Sequence, residues 1–459
     1  MTNSTTQQSV LFPDLLDKPF VAIFDQEHSS SDGGAILLKA ADKRLGLTDS
    51  LAACLRDDRQ AGKIDHDTIE LFRQRVYGIA CGYADCNDAA RLANDPVHKM
   101  INDRDPIEGD ALASQSTLSR FENSVGPLTL YRMGKALFEN VLSTHRKRLR
   151  GRKVRRIVID LDPTDDATHG GQQLSLFNGY YDTWCYLPVL GFVSFNDEPD
   201  QHLFTAILRP GNAPAKLGAV GVLRRSIERL IEEFPEARIL VRLDGGFACP
   251  EIFELLEALP GVDYVMAMAS NKVLNRLAEP LMKKARRLSK RTDKTEHVYG
   301  ECRYAAGTWL KARRVIIKAE VVRHEGKEPK DNPRFVVTNL GRAPRPVYEK
   351  VYCERGDVEN RIKELKGGLE IDRTSCQQFW ANQFRVLMTA AAYVLMQQLR
   401  LRAARTSSAR AQVQMLRERL LKLGAHVVVS VRRVVLHLPA SYPFLDTWKA
   451  VAHALGAQT

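Results

Sequence analysis

Residues 155–162 read RRIVIDLD, an aliphatic, β-branched run that ends in acids. Such a run favours a strand. Strand side chains alternate, so Asp160 and Asp162 fall on one face. The run ARILVRLD, residues 237–244, repeats the form and ends in Asp244. Two glycines follow it, which lets a backbone or a phosphate approach closely. Between the two runs lie the strand candidates LPVLGFVSF and HLFTAILRP and a helix over about 216–234. A helix over 250–259 and the strand VDYVMAM come after. This β-β-β-α-β-α-β succession predicts an α/β domain with a mixed sheet flanked by helices.

The flanks read differently. Upstream, PFVAIFD and AILLKA suggest short strands joined by a turn at SDGG. Residues 41–150 are mainly helical in pattern; Ile69, Phe72, Val76 and Ile79 keep helical spacing. Helices around 66–82 and 114–124 suggest a helix-turn-helix for DNA. Downstream, EHVYGECRYAA, RRVIIKAEVVRH and PRFVVTNL predict a β-rich insertion. Helices follow at 357–369 and 377–404, then one at 409–423, a hairpin HVVVSVRRVVLHL and a terminal helix. The boundaries expected are 1–150 (helical, DNA-end binding), 151–270 (first part of the core), 271–345 (insertion), 346–400 (second part of the core) and 401–459 (DNA contact or dimerisation).

The chain has 459 residues, of which 44% are hydrophobic, enough for a core, so disordered, collagen-like and disulfide-scaffold classes are excluded. The first seventeen residues lack a basic n-region and an apolar h-region, so no signal peptide is expected. The longest nearly apolar run, Val386 to Met396, is too short to span a bilayer, and no membrane partner is expected. The eight cysteines form no CxxC, which suits a reducing cytosol. Lys plus Arg exceed Asp plus Glu by 67 to 55, giving a net charge of +12 and a nucleic acid as the first candidate partner. The bases are clustered. RKRLRGRKVRR (146–156) includes Arg146, Lys147 and Arg148, and KKARRLSKR (283–291) includes Lys283, Lys284, Arg286 and Arg287. A third stretch runs from Arg400 to Lys422. Without matching acidic blocks these runs suggest a surface that tracks phosphates, although any one of them alone is as well read as a solvated helix face.

Two strand-end aspartates and a helical glutamate, Glu359, are the donors a hard cation prefers. Two Mg²⁺ ions about 3.5–4 Å apart, with Mn²⁺ able to substitute, would clamp the attacking and leaving oxygens of a phosphodiester. Tyr352, Arg355, Glu359 and Lys366 are spaced to share one helical stripe if the helix begins early enough. Read blandly, that stripe is an exposed helix with an Arg355–Glu359 ion pair. DLDPT also satisfies the D-x-D-x-T pattern of haloacid-dehalogenase phosphatases, with Asp160 as nucleophile and Asp162 as general acid. That reading lacks a downstream acidic metal motif.

Tyr352-x2-Arg355-x3-Glu359-x6-Lys366 resembles the Y-R-E-K signature of IS4-type DDE transposases. The chain as a whole, over roughly residues 20–440, resembles the IS1380 family of bacterial insertion-sequence transposases. SSDGGAILLKAADKRLGL, IACGYADCNDAARLANDP, LASQSTLSRFEN, LDPTDDATHGGQQLSLFNGYYDTWCYLPVLGF and RLDGGFACPEIFELLE carry the resemblance. It implies an RNase H-like core interrupted by an insertion, with the triad Asp162, Asp244 and Glu359 holding the metals. Asp160 is the alternative first acid. It further implies that Tyr352, Arg355 and Lys366 contact DNA and that Trp309, in the insertion, holds a flipped base. The alternative for Trp309 is a core tryptophan in a β-layer. The implied partners are double-stranded terminal inverted repeats, target DNA and a second subunit in the synaptic complex, in the bacterial cytoplasm on nucleoid DNA. A catalytically inactive, DNA-binding relative is the other reading.

Overall fold

A computed structural model describes residues 10–12, 17–18 and 20–458. Most of the N-terminal stretch read for a signal peptide, and Pro19 of the first strand candidate, lie outside the described residues. The chain opens with β1 (Val10–Phe12), β2 (Phe20–Ala22) and β3 (Ser29–Ser30). Seven helices follow: α1 (Ile36–Leu45), α2 (Leu47–Ala52), α3 (Thr68–Cys81), α4 (Cys86–Arg91), α5 (Pro96–Ile101), α6 (Gln115–Glu122) and α7 (Pro127–Arg148). AILLKA, expected as a strand, belongs to α1. Leu37, Leu38 and Ala41 are buried at helical spacing. The glycines before them do not make a hairpin turn. A Cβ on Gly34 would lie 1.7 Å from the Leu420 carbonyl oxygen, so glycine lets α1 dock against the C-terminal part of the chain.

The central elements are β4 (Arg156–Pro163), β5 (Asp166–Ala167), β6 (Leu176–Asn178), β7 (Thr183–Tyr186), β8 (Val189–Phe195), β9 (His202–Ile207), α8 (Ala219–Glu233), β10 (Arg238–Leu243), α9 (Pro250–Ala258) and β11 (Val262–Met268). Next come α10 (Lys272–Thr292), β12 (Glu296–Tyr304), β13 (Arg313–Val322), β14 (Lys330–Asp331) and β15 (Arg334–Thr338). A nine-stranded sheet runs β12-β13-β15-β11-β10-β4-β8-β9, with β14 beside β13. β4, β10 and β11 are parallel and the other pairings antiparallel, the mixed sheet expected. The β-rich stretch at 296–338 does not form a layer of its own. β15 pairs with β11, so its strands carry the core sheet onward and cover what would otherwise be the edge of β11. The small sheet β5-β7-β6, between β4 and β8, was not foreseen.

The chain ends with α11 (Pro344–Val347), α12 (Gly356–Leu369), α13 (Phe379–Arg402), α14 (Val413–Leu416), the hairpin β16 (Ala425–Ser430) and β17 (Arg433–His437), and α15 (Leu445–Ala454). The helix expected at 409–423 is shorter: α14 runs on into one wide turn, Arg417–Leu421. α13 is buried on every side from Ala381 to Arg400, as a helix at the centre of a large core must be. It packs against α1, α3, α7 and β9, so the N-terminal helices and the sheet share one core. No helix among the described residues is long and apolar enough to cross a membrane.

This packing removes α3 from the helix-turn-helix reading, while α6 keeps Gln115, Ser116 and Arg120 exposed. α3 buries Leu71, Phe72 and every residue from Gln74 to Cys81, which leaves it no face for a DNA groove. It is fastened to α6 by the buried pair Arg75–Glu122, at 2.8 Å.

Candidate active site

β4 turns Ile157, Ile159 and Leu161 into the main core, while Val158 faces a second cluster with Val347, Tyr348 and Val351. By the same alternation Asp160 and Asp162 face that second side. β10 lies parallel to β4 with Leu243 beside Leu161, so the chain leaves β10 at Asp244 next to where β4 presents Asp162. Asp244 ends the strand and accepts a hydrogen bond from Gly246 N at 2.9 Å.

Residues 344–369 cross this face as one helical segment of changing pitch. α11 leads into a wide π-type turn at Tyr348–Tyr352, a tight 3₁₀ turn at Cys353–Arg355, and then α12. π-type turns often mark functional sites because they re-aim side chains. Tyr352 and Arg355 therefore precede the regular helix that carries Glu359 and Lys366. Arg355 does not pair with Glu359, as an exposed helix would have it. Its Nη2 donates to Asp162 Oδ1 at 2.6 Å. Its Nε is buried without a hydrogen-bond partner. Lys366 Nζ lies 2.9 Å from Asp165 Oδ1.

The two aspartates of β4 have different surroundings. Asp160 is buried and receives Arg242 Nε and Nη2, both at 2.8 Å. Arg242 also donates to the Val351 carbonyl, tying the π-type turn to the sheet. Asp160 is therefore a structural anchor, and a role as attacking nucleophile in a phosphatase does not fit it. Asp162 is also buried, and burial pushes its carboxyl up to about 7. Arg355 opposes the rise, while the nearby charges of Asp244 and Glu359 add to it. Of the expected triad, Asp162 and Asp244 thus stand at neighbouring strand ends.

Two further groups stand at this site, Asp166 from the run DPTDD and Tyr181 from NGYYD. Asp166 is fully buried and held by Thr374 Oγ1 at 2.9 Å from each carboxylate oxygen. Burial raises it to about 8. Tyr181 stands close enough to Asp165, Asp162 and Asp244 that their charges add to the effect of burial and lift its phenol to about 12.

Other expected site residues lie elsewhere. Trp309 packs edge-on against Phe253 (4.9 Å between centroids) and Tyr304 (5.6 Å), with Arg313 over its ring. It is only 9% exposed and presents no face to a base, so the alternative reading of a core tryptophan holds. The basic runs do have acidic partners, most of them supplied from other elements of the chain. Arg146 lies 3.2 Å from Glu233, and Arg148 pairs with Glu198 at 2.6 Å. Arg286 is held by Glu279 and Asp331. Lys147, Lys283, Lys284 and Arg287 remain exposed. In the C-terminal stretch, Arg400 is buried on Glu364 at 2.7 Å, and Lys422 reaches Asp32 at 2.7 Å. Arg417 is spent on the carbonyls of Ala80 and Gly368.

Among the described residues one cluster of metal-type donors, Asp32, Cys81 and His98, has its donor atoms within 4.8 Å of one another. It is wholly buried, and the Lys422 ammonium already supplies its cation. The Asp162 site differs in its donors: carboxylate oxygens only, partly open to solvent at Asp244 and Glu359, with the Arg355 guanidinium on one oxygen of Asp162. That donor set fits a divalent hard cation.

A family profile described as "Transposase DDE domain group 1" matches residues 12–458. No curated protein matches the chain.

Proposed function

We infer the activity from one premise: the chain belongs to the transposase DDE domain group 1 family, and is a DNA transposase in general terms. We propose that it is an insertion-sequence transposase of the IS1380 type with an RNase H-like core. It binds terminal inverted repeats in double-stranded DNA, cleaves at the transposon ends, and joins the freed 3′-OH to target DNA. It works as a homodimer on nucleoid DNA in the cytoplasm. The observation that carries the proposal is the placement of Asp162 and Asp244 at the neighbouring ends of parallel β4 and β10, with Arg355, from the segment leading into the Glu359 helix, on Asp162 at 2.6 Å.

Asp162, Asp244 and Glu359 would hold the divalent ions, Mg²⁺ or Mn²⁺. Bound there, two such ions supply Lewis acidity to the attacking and leaving oxygens. The protein's own groups do the rest. Asp160 and Arg242 fix β4, β10 and the π-type turn relative to one another, so the acids are positioned before substrate arrives. Arg355 holds Asp162 through Nη2 and would bring a positive charge to a phosphate beside that acid. Lys366, on Asp165, borders the same site and would steady the adjacent phosphate. In the first reaction a water oxygen bonds to phosphorus as the P–O3′ bond breaks, leaving a 3′-OH and a 5′-phosphate. In the second the 3′-OH attacks a target phosphodiester and releases its 3′ oxygen.

The test uses purified protein and a plasmid carrying the gene with its own flanking DNA. Mg²⁺-dependent cuts at the element's boundaries, lost in Asp244→Asn, are expected. Cleavage by Asp244→Asn at the wild-type rate contradicts the assignment.

A further inference from the structure

Asp244 stands on a turn that its own sequence leaves loose. Two glycines follow it, and glycine restrains a backbone least of all residues. Yet Asp244 caps the tight turn Gly245–Phe247, with one carboxylate oxygen accepting from Gly246 N at 2.9 Å. A neighbour has to steady such a turn, and the neighbour is the loop of residues 210–217, between β9 and α8. A Cβ on Gly246 would come 2.7 Å from Ala215 Cβ and 3.2 Å from Asp244 Oδ1. Loop, glycine and acid are therefore packed against one another.

That loop contains only turns, so its main-chain carbonyls need donors from elsewhere. Arg209 supplies them. Its side chain is enclosed, the residue being only 4% exposed. Nη1 donates to the carbonyls of Pro214, Ala215 and Leu217 at 3.2, 2.7 and 3.3 Å. Nε donates to the Leu187 carbonyl at 2.8 Å, and the Arg209 carbonyl accepts from Leu187 N at 3.0 Å. One planar fork thus ties the loop to the chain between β7 and β8, a geometry that an ammonium point charge does not reproduce. Each of these bonds goes to main chain, so the buried cation has no carboxylate bonded to it. Burial lowers its pKa to about 10, and the negative charge of Asp244 works against that fall.

We propose that Arg209 is the positioning residue for Asp244: through Ala215 and Gly246 it holds the carboxylate in one orientation, with the oxygen that Gly246 does not use left for a metal ion. The proposal rests on the reading of Asp244 as a metal ligand and names what keeps that ligand in place. Arg209 touches neither substrate nor metal in this role. Its effect is mechanical, and it is large because a displacement of about 1 Å at a reacting centre can cost on the order of 10²-fold in rate. A strut that merely closed the loop would add stability and leave the acid's chemistry alone.

The experiment uses the full chain as wild type, Arg209→Lys, Ala215→Gly and the double variant. It reads melting temperature, Mn²⁺ affinity by electron paramagnetic resonance without DNA, and single-turnover cleavage of a plasmid carrying the gene with its flanking DNA. Arg209→Lys keeps the charge and loses the fork. It should weaken Mn²⁺ binding and slow cleavage by about 10- to 100-fold, the range for groups that orient a metal ligand. The DNA concentration giving half-maximal rate should stay near that of wild type. Ala215→Gly removes the contact with Gly246 and should act in the same direction, less strongly. The double variant should fall no further than Arg209→Lys, because both changes interrupt one route. Wild-type Mn²⁺ affinity and rate in a folded Arg209→Lys, with a lower melting temperature as the sole effect, overturn the proposal. Losses that multiply in the double variant overturn it too. If Arg209→Lys does not fold, Ala215→Gly decides, and wild-type Mn²⁺ affinity there is the contrary result. Full Mn²⁺ affinity in Asp244→Asn, or none in wild type, overturns the underlying reading instead.

Discussion

The acids at the carboxyl ends of β4 and β10 and the bases of the C-terminal stretch are held in opposite ways. Asp162 has one guanidinium contact, two further acids close by, and a carboxyl raised to about 7. Arg400, Arg417 and Lys422 are each enclosed and matched, by Glu364, by backbone carbonyls and by Asp32. An arrangement left with unbalanced charge is suited to receive a ligand. One with every charge matched is suited to hold helices in place. The difference teaches that availability, rather than the number of charges, separates a site from a strut.

The largest effect expected from this contrast is at Asp244. Asn keeps the side-chain oxygen that caps Gly246 but removes the charge. Asp244→Asn should therefore melt within a few degrees of wild type yet cut DNA more slowly by about 10³-fold, the scale of losing a principal electrostatic group. Single-turnover cleavage checks this, and a drop of less than about tenfold would break the comparison from the acidic side.

The struts should answer in stability. Arg400→Leu removes one of two guanidinium partners of buried Glu364, which keeps Arg361, Tyr393 and the Val413 N–H, a loss on the order of 1.5–3 kcal/mol. Urea unfolding measures it. Lys283→Ala, on an exposed face of α10, should stay within about 0.5 kcal/mol of wild type. Equal effects at the two positions would erase the distinction.

Much of this arrangement was legible in the primary structure, for identifiable reasons. The runs ending at Asp162 and Asp244 are short, β-branched and closed by an acid, so local propensity and topology agree. The stripe around Glu359 kept its helical spacing, although the π-type turn before Gly356 re-aims Tyr352 and Arg355 in a way spacing alone does not register. Three things were not legible. Asp160 and Asp162 share one face and look equivalent until β10 places Arg242 beside the first. AILLKA has a strand-like composition, and only docking of Gly34 on Leu420 makes a helix there the better packed choice. The basic runs seemed unpaired because their acids, such as Glu198 and Asp331, come from other elements.

A smaller effect sharpens the comparison through pH. Asp166 is raised by burial from 3.8 to about 8. A carboxyl whose folded value is raised stabilises fully at low pH, and that contribution is lost as pH rises through the folded value. Wild-type stability should therefore decline between about pH 4 and about pH 8 through this group. Asp166→Asn should flatten that slope, with its largest advantage at and above pH 8. Thermal melting across that range tests this; parallel profiles would show that Asp166 is not the group responsible.

The smallest effects belong to the exposed bases. If Lys147, Lys284 and Arg287 track phosphates, replacing each by Ala should lower the slope of log affinity against log salt by about 0.9. Arg286→Ala, whose charge is already committed to Glu279 and Asp331, should leave the slope unchanged. A uniform response across the four would mean that internal pairing does not govern which bases meet DNA.

The central claim is that Asp162, Asp244 and Glu359 form one divalent-metal site from which Asp160 is excluded. Mn²⁺ titration followed by electron paramagnetic resonance at pH 8 tests it most directly. Asp162→Asn, Asp244→Asn and Glu359→Gln should each weaken binding of the ion by at least about tenfold, within the range that shifts in metal coordination produce. Asp160→Asn should melt earlier yet bind Mn²⁺ like wild type. Full Mn²⁺ affinity in Asp162→Asn, or its loss in a folded Asp160→Asn, would contradict the account.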